Sequence, residues 1–301
     1  MTARVNVRRS PLERAEYAII VSALLLAVVL TLQPLLHLLA VSLSDPGRVA
    51  GMSGLSVVPQ GLSTDVWLLL INNPAVQRGI LNAALITFAG TALNLVLTVL
   101  MAWGLSRPNL PGRRTIFVLV LVTIVFEPGI IPDYFVVRRL GLVNSYWSVI
   151  LYKAVNAWYL ILLIRFFEEI PKELLEASEL DGAGAFRQLW FVVLPLTLPS
   201  LATITLFYFV FHWNEFFRAM IYLPDPNKWP LQVVLRQFVV EGDKLSMVGS
   251  QAMSDYTDAS QINMRALRAG MILLAIAPIL LIYPLILRFF TKGTMAGALK
   301  G

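Results

Sequence analysis

Cysteine is absent from the 301-residue chain, which excludes disulfides, thiol nucleophiles and cysteine-ligated metals and leaves the redox compartment unread. Charge is scarce. Asp, Glu, Lys and Arg make up 14% of residues, against roughly 25% in soluble domains, a shortfall too large for a bigger core to explain. Histidine is limited to His37 and His212, and no HExxH, GxSxG or spaced carboxylate set accompanies them. Each lies in or at the end of an apolar run, where a lone histidine is ordinarily a hydrogen-bonded packing residue. GxxxxGK(S/T) is missing too, so the chain cannot hydrolyse a nucleotide by itself. A membrane enzyme ranks last for want of a catalytic set. Internal repeats, low-complexity tracts and Pro- or Ser-rich linkers are also missing, and residues 1–301 read as one domain.

What is there is apolar: 57% of residues are hydrophobic and the mean hydropathy is +0.73. That composition predicts an all-α, polytopic membrane protein. It also excludes a nucleic-acid binder despite the formal charge of +6, because membrane chains carry such a surplus at cytoplasmic loop ends. A spanning helix needs about 20 mostly apolar residues. Six stretches qualify, at Tyr17–Leu43, Gly79–Leu105, Thr115–Val137, Ser145–Phe167, Leu189–Phe211 and Ala269–Phe290. The first follows Arg4, Arg8, Arg9 and Arg14 and has a passable cleavage site at Ala40 and Ser42. Its apolar run exceeds the core of a signal peptide, so it reads as a retained anchor.

With the N-terminus inside, the inner segments hold thirteen basic residues: those four arginines with Arg107, Arg113, Arg114, Arg165, Lys172, Arg187, Arg288, Lys292 and Lys300. The short outer loops hold four, Arg48, Arg78, Arg138 and Arg139. This bias places both termini in the cytoplasm. Prolines 34, 128, 132, 195, 199, 278 and 284 fall in the spans and predict kinks, as in a transporter or channel, although membrane helices carry prolines in any case. Lys153, Glu127 and Asp133 are the ionisable groups set among apolar runs, where charge points to a polar cavity or a partner. They form neither an acidic proton relay nor an arginine ladder.

Between the fourth and fifth spans, residues 168–188 form an inner loop with six acids and one lysine from Glu168 to Asp181. Pro171 suits a helix start and Lys172–Leu180 are good helix formers. Gly182 and Gly184 then allow a turn. On residues alone two readings stand. A charge run is most often a solvated loop; a short helix tied to two membrane helices is also a lever that a soluble partner could grip.

Residues 171–196, PKELLEASELDGAGAFRQLWFVVLPL, closely resemble the EAA loop of permease subunits in bacterial ATP-binding-cassette (ABC) importers. Glu176-Ala177 match, Ser178 replaces the second alanine, Gly182 falls in place, and Leu194-Pro195 close the motif after Phe191-Val192-Val193, where isoleucine is more usual. The resemblance covers nearly the whole chain, towards the maltose-type carbohydrate permeases and their LplC/YtcP-like branch. It is carried by Phe126–Tyr134, Leu140–Asn144, Arg165–Phe167, Trp213-Asn214, Pro230–Gln232, Tyr283–Phe290, Lys292-Gly293 and Lys300-Gly301. Glu127-Pro128 depart from that branch, which usually has small residues there.

The resemblance implies a type I importer permease fold with alternating access, in a bacterial inner membrane. It implies a second, different permease, two cytoplasmic ABC ATPases carrying ATP and Mg, and an extracytoplasmic solute-binding protein, with no cofactor in this chain. Glu176, Ala177, Ser178, Asp181, Gly182, Leu194 and Pro195 would couple it to the ATPase, and the tail 291–301 would run along the ATPase dimer. The implied cargo is an oligosaccharide. Tyr134, Asn156, Trp158, Tyr159, Trp213 and Asn214 are candidate path residues, since rings cover sugar faces and amides pair with hydroxyls, although Trp and Tyr also concentrate at membrane interfaces. Lys153 with Arg138 and Arg139 at the mouth would suit an acidic cargo such as an alginate fragment. The alternative is that the arginines meet lipid headgroups and Lys153 pairs with an acid of the partner permease. Competing functions are a permease of the same class for a peptide or polyamine, and a stand-alone secondary carrier.

Overall fold

The structure is a computed structural model that describes residues 11–237 and 263–298, with side chains described for 12–237 and 263–284. Arg4, Arg8 and Arg9 of the expected inner segment, and residues 299–301 of the expected tail, lie outside the described residues. The helices are α1 (Pro11–Ser42), α2 (Asp65–Asn72), α3 (Pro74–Ser106), α4 (Arg113–Val125), α5 (Ile130–Arg139), α6 (Trp147–Ile150), α7 (Ala157–Glu168), α8 (Lys172–Leu180), α9 (Ala185–Gln188), α10 (Leu194–Leu196), α11 (Leu198–Trp213), α12 (Phe217–Tyr222), α13 (Leu231–Arg236) and α14 (Met264–Ala298). Among the described residues there is no strand, only an isolated bridge between Ser44 and Leu62. They divide into two compact units, residues 11–72 with 263–274, and residues 73–237 with 275–298.

In the first unit, α1 is apolar on all sides, and none of its most apolar 18-residue window is buried. Burial begins at Ala40 and Val41 and continues through Val49, Met52, Val66 and Leu70 to Ala266, Leu267, Ala269 and Met271. Gly270 admits that packing, because a Cβ there would stand 2.8 Å from Leu70 Cδ1 and 3.0 Å from Val66 Cγ1. His37 is a joint: Nδ1 bonds the Ser56 carbonyl (2.7 Å) and Nε2 accepts from Arg265 (3.0 Å). Arg265 also donates to the Met52 carbonyl (3.1 Å).

The second unit is built on α3. Pro74 occupies its first turn, and Asn73 caps it by accepting from the Ala75 (2.9 Å) and Val76 (3.3 Å) amides. Asn73→Ala is expected to cost about 1 kcal/mol, read as a lower unfolding midpoint in detergent. Gly79 lets α3 approach the backbone of Leu231 (3.3 Å from a Cβ to its Cα), and Gly90 lets it approach His212. The C-terminal end of α3 packs as Val99, Ala102, Trp103 and Leu105 against Leu160, Leu163, Ile164 and Phe167 of α7, with Leu189 and Val193.

Three helices among the described residues are long and apolar enough to cross a membrane, and five spans result if each of two bent pairs is one. The pairs are α4–α5, bent by 120°, and the segment Ala185–Leu196 with α11, bent by 86°. Both bends sit where prolines predict them. Pro128 disfavours helical backbone at Glu127, and Gly129 takes φ +86°. Pro195 and Pro199 withdraw two ladder donors, a π turn covers Leu189–Val193, and Thr197 Oγ1 donates to the Val193 carbonyl (2.7 Å).

The stretch Ser145–Phe167 is not one helix. Only α6 and the 12-residue α7 form within it, and α7 is about 18 Å long at 1.5 Å per residue. Asn156 stops the helix from extending backwards, because its side-chain oxygen accepts from the Trp158 (3.0 Å) and Tyr159 (3.4 Å) amides. Lys153 adds φ +49°, which a helix cannot contain.

Candidate functional site

Two clusters in the second unit carry the polar chemistry. The first is the loop of residues 168–188. α8 starts after Pro171, as Leu174 N donates to the Pro171 carbonyl (3.2 Å). It stops in a paired-bond glycine cap: Gly182 N reaches the Glu179 carbonyl (2.9 Å), Ala183 N reaches that of Ser178 (2.9 Å), and Gly182 has φ +79°. No residue of α8 is fully buried. Glu176, Ala177 and Asp181 are exposed, with Leu174, Leu180 and Phe186 beside them as bare apolar side chains. Ser178 is half-buried, Leu194 half-buried and Pro195 exposed. α8 thus presents acids and bare leucines side by side to solvent.

Its opposite face is held from below. Gln188 is 1% exposed. Its Nε2 lies 3.1 Å from the Leu175 carbonyl, 3.0 Å from Ser178 Oγ and 3.2 Å from Glu179 Oε1. Its Oε1 accepts from Arg107, whose guanidinium stacks 3.7 Å above the Trp103 ring. Trp103 Nε1 in turn donates to the Ala185 carbonyl (3.1 Å). Burial pulls the Arg107 pKa below its ordinary value, and Glu179 opposes that shift. A cavity of about 430 Å³ beside α8 is lined by Trp103, Arg107, Ile170, Leu175, Glu176 and Glu179, among others. Gln188 and Trp103 are not among the residues singled out from sequence, and Arg107 counts there only towards the charge bias; the one available signal was an amide inside a motif of fixed spacing.

The second cluster surrounds the α4–α5 break. Lys153 pairs with Glu127 at 2.5 Å, so its acid belongs to this chain rather than to another subunit. The left-handed backbone at Lys153 aims the ammonium there, near the Tyr152 ring (5.7 Å). Tyr152 is sandwiched: the Arg218 guanidinium lies 3.4 Å over one face and Phe211 stacks on the ring (6.2 Å, 20°). Arg218 also donates to the Tyr152 hydroxyl and to Glu215 Oε2 (3.3 Å). Tyr134, half-buried, lies against Tyr222 (6.3 Å). Two cations, two acids and three phenols thus gather around segments that are not continuous helix.

Arg138 and Arg139 occupy the last turn of α5, whereas Glu127 precedes its first, so the three expected basic groups do not form one set. Asn156 uses its side-chain oxygen on the α7 cap, and its backbone N–H donates to the Tyr208 hydroxyl (3.0 Å). Trp158 is 67% exposed, whereas Tyr159 packs on Phe207 and Tyr208. Trp213 is buried, donates to the Ala275 carbonyl (2.8 Å) and stacks on Phe209. Asn214 is exposed and bonds the Val210 carbonyl (3.0 Å). Arg218, Tyr152 and Glu215 were not singled out from sequence; an arginine beside aromatic residues is the trace they left there.

No family model matches the chain. It is 37% identical over 278 residues to the polygalacturonan/rhamnogalacturonan transport system permease protein YtcP of Bacillus subtilis strain 168, covering 92% of this chain and 96% of that one. It is 35% identical to LplC of the same organism, over 90% of each chain. Among solved structures, a bacterial ABC transporter involved in the import of the acidic polysaccharide alginate has a chain of 27% identity and TM-score 0.85, covering 94% of this chain and 99% of that one. The all-helical fold, the bent spans and the exposed α8 are therefore those of a multi-pass permease subunit, not of an enzyme. The chain belongs to the carbohydrate-importer permeases of the ATP-binding-cassette class, in the branch that holds YtcP and LplC.

Proposed function

We propose that this chain, acting as one permease domain, helps to carry a carboxylate-bearing oligosaccharide across a bacterial inner membrane, with both termini cytoplasmic. A second permease completes the path, an extracytoplasmic binding protein delivers the cargo, and two cytoplasmic ATPases holding ATP and Mg drive alternating access. The coupling set is Glu176, Ala177, Ser178, Asp181 and Gly182 on and after α8, with Leu194-Pro195 at the hinge into α11. The path includes Tyr134, Lys153, Asn156, Trp158, Tyr159, Trp213 and Asn214, some as wall and some as support.

The observation that carries the acidic cargo is the Lys153–Glu127 pair beside Arg218. Two cations meet there at a break in the helical frame, and an exposed carboxylate partner can be exchanged for one on the cargo at little cost. The sugars of the relatives named above, polygalacturonan, rhamnogalacturonan and alginate, fit that reading. Tyr134, half-buried at that break, offers a ring face and a hydroxyl to the sugar.

The test is uptake by the complete complex in proteoliposomes, with oligogalacturonides or alginate oligosaccharides against neutral oligosaccharides of equal length. ATP-dependent uptake of the acidic set is expected. Lys153→Met should lower acidic uptake about tenfold, as expected for one lost charge-assisted contact, with neutral uptake unaffected. Equal loss for both cargoes would remove the acidic assignment. Uptake by this chain alone without ATP would make it a secondary carrier.

A further inference from the structure

A lever must be stiff where it meets what it moves. α8 joins the chain through residues 169–171 on one side and 181–184 on the other, and the second connection contains Gly182 and Gly184. Two such short connections allow α8 to pivot. Force arriving at Glu176 would then be absorbed by the turn instead of reaching a membrane helix. Beneath α8, Leu175 packs on the core of this unit and Glu179 lies 3.9 Å from Arg107, and the buried amide of Gln188 adds the direct hydrogen bonds.

We infer that Gln188, gripped by Arg107 and Trp103, is the clasp that binds the coupling helix to the inner end of α3, so that movement of α8 is delivered to that membrane helix directly. Gln188 is a positioning residue here, acting through α8, and the inference rests on the coupling role proposed above. The amide suits the task because it both donates and accepts. Its two N–H groups serve the Leu175 carbonyl, Ser178 Oγ and Glu179 Oε1, all on α8 within 3.0–3.2 Å. Its oxygen holds Arg107, one residue beyond α3. Arg107 cannot swing away freely, because Trp103, one helical turn earlier, supports the guanidinium face at 3.7 Å. The same indole anchors Ala185 (3.1 Å), so α9 is tied to α3 as well. Burial at 1% keeps water from competing for these bonds.

The clasp is charge-complementary, and the complement can be reversed. Gln188→Glu places a carboxylate against Glu179 and removes the donors that α8 requires. Adding Glu179→Gln restores one donor and one acceptor facing each other while Arg107 keeps its acceptor. A residue needed only for volume would gain nothing from that second change.

The chain lacks cysteine, so spin labels can be placed at Asn109→Cys, in the loop after α3, and Glu173→Cys, on α8. Pulsed electron resonance on the complete complex reads their separation, and the same samples give uptake per ATP hydrolysed. The native clasp should give a narrow distance distribution. Gln188→Ala should broaden it and lower uptake per ATP roughly tenfold, an ordinary size for a coupling between distant sites, with the ATPases still co-purifying. Gln188→Glu should behave alike, and Gln188→Glu/Glu179→Gln should recover much of both readouts. An unchanged distribution in Gln188→Ala, or a double variant no better than Gln188→Glu, overturns the clasp. Failure of the unmutated complex to take up solute with ATP would instead overturn the importer reading, and the distance distributions would still decide the clasp.

Discussion

Gly182→Asp should leave the chain folded and in the membrane while uptake falls about 100-fold, the upper range for coupling between sites. Among the described residues, no atom beyond the two chain neighbours lies within 4 Å of a Cβ placed at residue 182. The internal cost is therefore confined to a side chain at φ +79°, about 1 kcal/mol for aspartate, which tolerates the left-handed region better than most residues. A penalty of that size does not unfold a membrane protein. The outer surface of the turn is another matter. Glu176, Ala177 and Asp181 face solvent beside Leu180, which is 90% exposed, and a carboxylate added there meets whatever α8 docks into. The measurement is a pull-down of the detergent-solubilised chain, with and without the substitution, alongside uptake in vesicles. The ATPase should be lost selectively while the second permease stays. A variant that keeps its ATPase and its uptake would show that residue 182 lies outside the contact.

Gly90→Val tests the frame itself, and its effect on stability should be the largest of any single change considered. A Cβ at residue 90 would stand 2.5, 2.6 and 2.8 Å from three atoms of the His212 ring. The ring cannot step aside: it is 2% exposed, and its Nε2 accepts from Asn94 (3.0 Å). The two helices must separate, at about 3 kcal/mol or more, the upper end for overpacking a core. Small residues allow membrane helices this approach. His212→Ala also destabilises, by opening a hole and leaving Asn94 only its long bond to the Lys153 carbonyl (3.5 Å). In combination the two should cost clearly less than their sum, because the alanine makes room for the valine. Unfolding midpoints of the four proteins in one detergent give the cycle. Strict additivity would mean that the residues do not touch.

The parts legible in the sequence and the parts hidden there differ in physical kind. Long apolar runs specify α1, α3 and most of α14, since lipid demands that each backbone bond close within its own segment. Pro128 and Pro195 announced the two bends, and the acids and glycines of residues 168–188 announced α8. The interruption before α7 was invisible to hydropathy, because a single Asn156 side chain sets it and Val155 and Ala157 on either side are apolar. By residue type Trp213 suits a sugar path or a membrane interface, yet its ring stacks on Phe209 and its indole N–H donates to the Ala275 carbonyl. Pairings such as Lys153–Glu127 and Gln188–Arg107 depend on which helices adjoin, and one chain without its fold does not state that.

The polar bonds between α3 and α11 also set a problem of timing. Thr98 meets the Tyr208 hydroxyl (2.6 Å) across 110 residues, and Asn94 meets His212 across 118. At a ribosome's pace of about 5–20 residues per second, α3 waits roughly 6–24 s after its own synthesis before those partners exist. An unpaired amide in hydrocarbon for that long is costly, so α3 is expected to linger at the insertion channel or against water. α1, which buries none of its apolar window against this chain, is under no such delay. Assembly thus combines a helix that can be released at once with one that must be held back until its partners are made.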